Sequence, residues 1–294
     1  MKIYTIIICY HPDIPHLISF TRLLIESGSK VILVDNTPNS TIKNETLLNE
    51  CEIIMMGENT GIAKAQNTGI RRAIETGAEV LVFFDQDSLI EPDFMETLLS
   101  QVKVGEAIVV APVYYDDPGG AELPSLKLNE IGLLDKVYPG QGEQDNQVDV
   151  VISSGTGASK ETFQIAGLMD EDFFIDLVDT EWCLRCRKHG VPIKIVPGAK
   201  MRHRIGKATH KLGRTDVLIH SPTRCYYQIR NSFLLFRKKS VPIVMATKEL
   251  VTILINRLLL LFFVKQKRVY LSAYFQAISH GLKGVKGKRP GDKL

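Results

Sequence analysis

The sequence predicts an α/β chain: a mostly parallel central sheet with helices on both faces, continued at the C-terminal end by a helical region. Strand-length apolar runs alternate with helix-spaced segments through the first hundred residues. Such alternation makes parallel sheets, because parallel strands need a crossover that is usually a helix. Helical patterning then takes over from Ser221 to about Lys283. The composition allows a full core, with 45% apolar and 23% charged residues in 294.

The first expected strand covers residues 3–9, and a helix follows at 14–27. Strands at 30–34 and 52–56 come next, then a helix at 62–76 set between Asn59-Thr60-Gly61 and Gly77, then a strand at 80–84. A helix at 92–102 leads into a strand at 107–111. Residues 112–148 are polar with weak periodicity and carry Asp116-Asp117-Pro118-Gly119-Gly120, so an excursion or mobile loop is expected. Order resumes at 148–153, with helices at 160–166 and 179–189 and a strand at 193–196.

Charge is uneven. The formal net charge is only +3, yet from Lys265 to the end the chain is basic, with Asp292 its only acid. A basic end points to an anionic surface. Nucleic acid is not expected, because aliphatic residues interleave the tail and no reader module is visible. The apolar stretch 250–264 is broken by Asn256 and Arg257, too short for the roughly 20 residues of a span. Apolar faces beside Lys and Arg suit helices lying in the headgroup region of an anionic membrane; packing on the body, or on a second copy to form a homo-oligomer, is the alternative. Five scattered cysteines make no disulfide framework, and Cys183 and Cys186 read as helix packing. Met1-Lys2 runs straight into a strand without a cleavage site, so a cytoplasmic address is expected.

In open parallel sheets ligands bind at the carboxyl ends of strands. Asp85-Gln86-Asp87 directly follows a buried strand, where two carboxylates can share a hard divalent cation such as Mg2+ or Mn2+; a solvated turn is the alternative. Asp35 ends the second strand, placed either to accept a nucleobase imide N–H or to make a local turn. Asn59 marks a helix start, Asn67 lies on that helix, and Lys64 stands near phosphate reach. Read alone, that segment is a capped helix with a small-residue packing face.

Taken in order, Cys9-Tyr10-His11-Pro12, Asp35-Asn36, Asn59…Gly61…Asn67…Gly69 and Asp85-Gln86-Asp87 resemble glycosyltransferase family 2, over roughly residues 1–235. Phe83-Phe84-Asp85-Gln86-Asp87-Ser88 is similar in particular to its rhamnosyltransferase branch. The resemblance implies a GT-A fold, with a catalytic domain at 1–220 (nucleotide-sugar half about 1–110, acceptor half about 111–220) and a helical region at 221–294. It implies donor contacts from Tyr10, Asp35, Asn59, Lys64, Asn67, Asp85 and Gln86. A metal would be held by Asp85, Asp87 and His203, the last delivered by the stretch that ends the strand at 196. Alignment on Cys183-Leu184-Arg185 makes Asp179 the base of an inverting transfer, although Val178 stands where the family has Glu. Capping the helix is the local alternative for Asp179. Gly155, Thr156, Asp176, Glu181, Trp182 and Arg230 are expected on the acceptor side.

The implied reaction moves a sugar, L-rhamnose from dTDP-β-L-rhamnose, to a polyprenyl-diphosphate-linked glycan at the cytoplasmic face of the bacterial inner membrane. A UDP-sugar donor and a non-enzymatic membrane adaptor are the other readings. A processive synthase is disfavoured because Trp182, the only tryptophan, lies outside a Gln-X-X-Arg-Trp motif.

Overall fold

The structure, a computed structural model, describes residues 1–117, 119–141, 146–203, 209–212, 215–218 and 220–292. The strands are β1 (Ile3–Cys9), β2 (Lys30–Asp35), β3 (Glu52–Met55), β4 (Val80–Asp85), β5 (Leu89–Ile90), β6 (Val109–Asp116), β7 (Glu122–Leu123), β8 (Ser125–Leu128), β9 (Leu134–Val137), β10 (Gln147–Val148), β11 (Gly157–Ser159), β12 (Ile193–His203), β13 (Thr209–Leu212) and β14 (Thr215–Leu218). The helices are α1 (Ile14–Glu26), α2 (Ile62–Glu75), α3 (Phe94–Leu99), α4 (Lys160–Ala166), α5 (Val178–Lys188), α6 (Pro222–Leu235), α7 (Ile243–Leu260) and α8 (Lys267–Lys283).

The main sheet runs β10-β12-β6-β11-β4-β1-β2-β3, with β5 added to β12 and β7 to β6. Strands β3, β2, β1 and β4 are parallel, and β11 enters antiparallel between β4 and β6. Both faces of the sheet are covered, so the central strands are apolar on each side and alternate between two cores. Tyr4 and Ile6 of β1 and Ile32 and Val34 of β2 join the core under α2, α4 and α5, while Ile7, Cys9, Val31 and Leu33 join the core under α1 and α3. Each fully buried aliphatic side chain contributes about 2 kcal/mol.

Register sets the site. Cys9 pairs with Asp35 and Ile8 with Asp85, so the ends of β1, β2 and β4 deliver Tyr10, Asn36 and the acidic pair to one edge.

Three regions differ from expectation. The described part of residues 112–148 carries strands: β6 runs on to Asp116, β7 pairs with it, and β8 and β9 form a hairpin. The strand expected to end at 196 continues to His203, because a bulge between Val196 and Lys200 absorbs Pro197 and Gly198 opposite Pro112, which has no N–H to give the ladder. The helix expected at 92–102 shortens to α3, ended by the turn at Ser100.

Helices α6, α7 and α8 form a third apolar cluster around Tyr226, Tyr227, Ile229 and Tyr274. Leu234, Leu235, Met245 and Ala246 from the same helices enter the core beneath the sheet. No helix among the described residues is long and apolar enough to cross a membrane.

Candidate active site

A cleft of about 320 Å³ opens at the carboxyl edge, lined by Tyr10, Asn36, Asn59, Asp85, Asp87 and Phe174, among others. Gln86 fixes its rim. The amide accepts from Tyr10 N at 2.6 Å and donates to Tyr10 O at 3.0 Å, tying the loop after β4 to the loop after β1. With one bond at each end of the amide, Gln86 positions Tyr10 while itself lining the cleft.

Asp35 lies under the cleft, fully buried, and does not line it. Its Oδ1 accepts from Thr37 N at 2.9 Å, the local turn that was the alternative reading. Its Oδ2 is buried without a hydrogen-bond partner among the described residues, a cost that an incoming N–H would relieve. Asn36, which the sequence placed only within a motif, does the bracing here. It donates to Asn59 Oδ1 at 3.1 Å and Gly61 O at 3.3 Å, and accepts from Thr60 N at 2.9 Å.

The first N–H of α2 is taken by protein and not left open to a phosphate. Phe174 O accepts from Ile62 N at 2.7 Å, so a carbonyl oxygen from 112 residues downstream satisfies the first helical N–H. Gly61 makes room for it: φ is +85°, and a Cβ there would lie 2.5 Å from the Phe174 ring. Lys64 is exposed in a neighbouring hollow of about 340 Å³ with Glu58, Asn59 and Phe174, beside the cleft rather than in it.

Asn67 does not reach the donor cleft. It is 1% exposed and pins the segment before α5, donating to Met169 O at 2.9 Å and Glu171 Oε1 at 2.8 Å and accepting from Met169 N at 2.8 Å.

Asp85 and Asp87 both line the cleft, Asp87 exposed. Asp85 N donates to Ser154 Oγ at 3.0 Å, and Ser154 Oγ is 2.9 Å from Ser88 Oγ, so two buried hydroxyls hold the turn. Ser154 belongs to the turn containing Gly155, whose φ is +78° and whose Cβ would meet Met201 Sδ at 2.5 Å. Gly155 N donates to Phe83 O at 2.7 Å, which sets the turn against the end of β4. Thr156 is buried beneath it, donating to Ile152 O at 2.6 Å. Gly155 and Thr156, expected on the acceptor side, line neither this cleft nor the hollow beside Asp179; they belong to the turn that braces the end of β4.

Asp179 does not line that cleft, but it lies near enough to the acidic pair to feel the charge of Asp85. It lies in the first turn of α5, where Leu177 in a left-handed conformation (φ 63°) is the cap, so Asp179 is not the capping residue. Its carboxylate accepts from Ser153 N at 3.2 Å. Withdrawal from solvent, and after it the charges of Asp85 and Asp176, push its pKa up to about 6 against that hydrogen bond. It lines a second hollow of about 400 Å³ with Tyr114, Leu123, Leu126, Ile152 and Leu177. The approach to Asp179 is strained: Phe174, Asp176 and Leu177 all have φ near +63°. Each such residue costs about 1 kcal/mol or more. Asp176 is ion-paired with Arg224 at 3.1 Å. Asn231 donates to the carbonyls of Phe173, Ile175 and Asp176, holding the strained segment from behind.

Three residues expected on the acceptor side point elsewhere. Glu181 is 2% exposed and is gripped by Arg185 at 2.8 Å, facing the opposite flank of α5. Trp182 is buried, donating to Gly167 O at 3.0 Å and stacking on Phe163. Arg230 is fully buried and donates to Val285 O, Phe173 O and Gly287 O, a structural clamp between α6, the base segment and the C-terminal tail. Polar type and spacing do not distinguish a clamp such as Arg230 from a ligand, because its carbonyl partners Val285 and Phe173 lie 55 and 57 residues away.

The backbone of His203 ends β12 beside Asp116, and its side chain lies outside the described residues. Among the described residues no three His, Cys, Asp or Glu form a ready metal site. Asp85 and Asp87 still offer hard oxygen donors facing an open cleft, the chemistry a divalent cation with diphosphate ligands requires.

The family profile of glycosyl transferase family 2 matches residues 5–165. The dTDP-rhamnosyl transferase RfbF of Shigella flexneri is 40% identical over 287 residues, covering 97% of each chain. This chain belongs to glycosyl transferase family 2. The family assignment and the rhamnosyltransferase-like character read from the motifs are borne out together. Among solved structures, Staphylococcus aureus TarS 1–349 in complex with UDP-GlcNAc is 13% identical with a TM-score of 0.59, covering 97% of this chain and 82% of its own. GalNAc-T7 with UDP, GalNAc and Mn2+ is 12% identical with a TM-score of 0.57, covering 82% and 52%. At these identities the likeness is one of fold, the GT-A arrangement expected from the motifs.

Proposed function

We propose that this glycosyltransferase transfers L-rhamnose from dTDP-β-L-rhamnose, with inversion and a divalent metal, to a hydroxyl of a polyprenyl-diphosphate-linked glycan. The relative at 40% identity, a dTDP-rhamnosyl transferase, supports this donor. The observation that carries the mechanism is Asp179, a carboxylate with pKa raised to about 6, lying within the field of Asp85.

The nucleotide sugar enters the cleft between Tyr10, Asn36 and Asn59, with its diphosphate toward Asp85 and Asp87. The acceptor occupies the hollow of Leu123, Leu126 and Ile152 beside Asp179. Asp179 takes the proton of the attacking hydroxyl as its oxygen bonds to the anomeric carbon and the bond from that carbon to the diphosphate breaks. A base near pKa 6 is deprotonated at neutral pH and keeps more basicity than an ordinary aspartate. Asp85 and Asp87 would hold the cation, with His203 named by the family resemblance, and the cation would offset the charge left on the diphosphate.

A donor screen with Mg2+ or Mn2+ against lipid-linked glycans extracted from membranes, read by mass spectrometry, tests the proposal. A mass gain of one deoxyhexose from dTDP-rhamnose is the expected product. Transfer only from UDP-sugars would replace the donor, and no transfer from any nucleotide sugar would overturn the reading.

A further inference from the structure

Helix α7 is apolar on two sides. Met245, Ala246, Ile253 and Leu260 face inward and are buried. On the outer side Val244, Val251, Ile255, Leu258 and then Phe262, in the turn after the helix, follow one another at spacings of seven, four, three and four residues. That spacing is a single helical stripe. These five residues are 50, 49, 52, 57 and 76% exposed. A helix apolar on both sides is normally covered on both, yet here only the Val244 end meets the β8–β9 turn, at Gly132, and all five side chains stay about half exposed or more.

The charge around the stripe says what covers it. Residues 250–291 contain eight Lys or Arg and no Asp or Glu. Lys248 flanks the stripe, and Lys265, Lys267 and Arg268 crowd the turn into α8, all four exposed. Lys286 and Lys288 are otherwise engaged, with Asp172 and Glu58. A second copy apposed here would bring cations against cations, whereas an anionic headgroup layer neutralises them while its acyl boundary accepts Leu258 and Phe262. The 18 residues of α7 extend about 27 Å. Asn256 and Arg257 interrupt it, and no described helix qualifies as a span. That suits a helix lying in the plane of the surface.

We propose that the outer face of α7, together with the basic turn into α8, is a docking surface for an anionic lipid bilayer. Its place in the fold ties it to the base segment. Arg257 donates to Cys225 Sγ at 3.5 Å and Tyr270 OH to His220 O at 2.9 Å, so the basic-turn end packs on the start of α6. Next to Cys225 in that first turn, Arg224 of α6 holds Asp176, three residues before Asp179. Docking there brings the acceptor end of the cleft to the lipid surface.

The test is co-sedimentation of the full chain with vesicles of phosphatidylcholine alone and of phosphatidylcholine with phosphatidylglycerol at 3:1. It needs neither donor nor acceptor, so its failure leaves the proposed transfer untouched. The wild type should bind the phosphatidylglycerol vesicles and release at high salt. Leu258→Ser with Phe262→Ser should weaken partitioning at least tenfold. Lys265→Glu with Lys267→Glu and Arg268→Glu should weaken it at least a hundredfold, since each cation near an anionic surface is worth about fivefold. Both variants change exposed side chains, and their thermal unfolding should match the wild type. Equal binding by all three proteins, or no binding by the wild type, overturns the proposal. So does a dimer in sedimentation velocity that Leu258→Ser with Phe262→Ser dissociates while the wild type ignores vesicles, because a second copy would then cover the face.

Discussion

Asp179→Asn should make the chain more stable at neutral pH while removing its activity. In the fold the Asp179 pKa stands at about 6, against 3.8 for the ordinary carboxyl. The raised value means that the fold disfavours the charged form. The penalty is absent well below pH 3.8, grows as pH rises through the interval between the two values, and is complete above about 6. At 1.36 kcal/mol per unit it reaches about 3 kcal/mol at pH 7.5 and about 1 kcal/mol at pH 4.5. Asparagine has no charge to withdraw from water and keeps an oxygen for Ser153 N. Urea denaturation of both proteins at the two pH values, without donor or metal, reads the difference. The variant should be the more stable at pH 7.5, with its advantage shrinking toward pH 4.5, and sugar transfer should fall at least a thousandfold. A variant no more stable than wild type at pH 7.5, or an advantage that does not change with pH, would refute the reasoning. In the wild type, kcat/KM should rise with pH along a limb centred near 6.

Arg230→Met removes donors from the carbonyls of Phe173, Val285 and Gly287 and should cost about 3 kcal/mol or more in urea denaturation; unchanged stability with a raised acceptor KM would make Arg230 a ligand instead. Gly61→Ala forces a Cβ to within 2.5 Å of Phe174 at a φ of +85°, so dTDP affinity by titration calorimetry should drop at least tenfold as Phe174 leaves the cleft wall. Gln86→Ala frees Tyr10 from its two-point clamp and should weaken dTDP binding about tenfold with the melting temperature nearly unchanged.

The parts of the fold legible in the sequence are those whose signals are local. Strands β1, β2 and β4 are continuous apolar runs, and α2 and α4 have helical spacing between turn residues, so each was expected within a residue or two of its place. The acids after β4 are legible because carboxylates directly after a buried strand need a reason, whereas Asp179 at the start of α5 is reached only through the resemblance to the family, on Cys183-Leu184-Arg185. Nonlocal pairing hid the rest. The long β12 depends on a bulge facing Pro112, a partner about 85 residues back. The same distance blindness affected the site: Asn67 and Arg230 look like ligands until their carbonyl partners are seen, and the open start of α2 looks like a phosphate cradle until Phe174 O takes its first N–H.

Cation binding by the Asp85–Asp87 turn tests the central claim most directly. Mn2+ titration followed by electron paramagnetic resonance, with dTDP present, should show one bound ion per wild-type chain and none in Asp85→Asn or Asp87→Asn, both folded by circular dichroism. Undiminished stoichiometric binding in both variants would contradict the account, because the ion would then be held somewhere other than the Asp85–Asp87 turn.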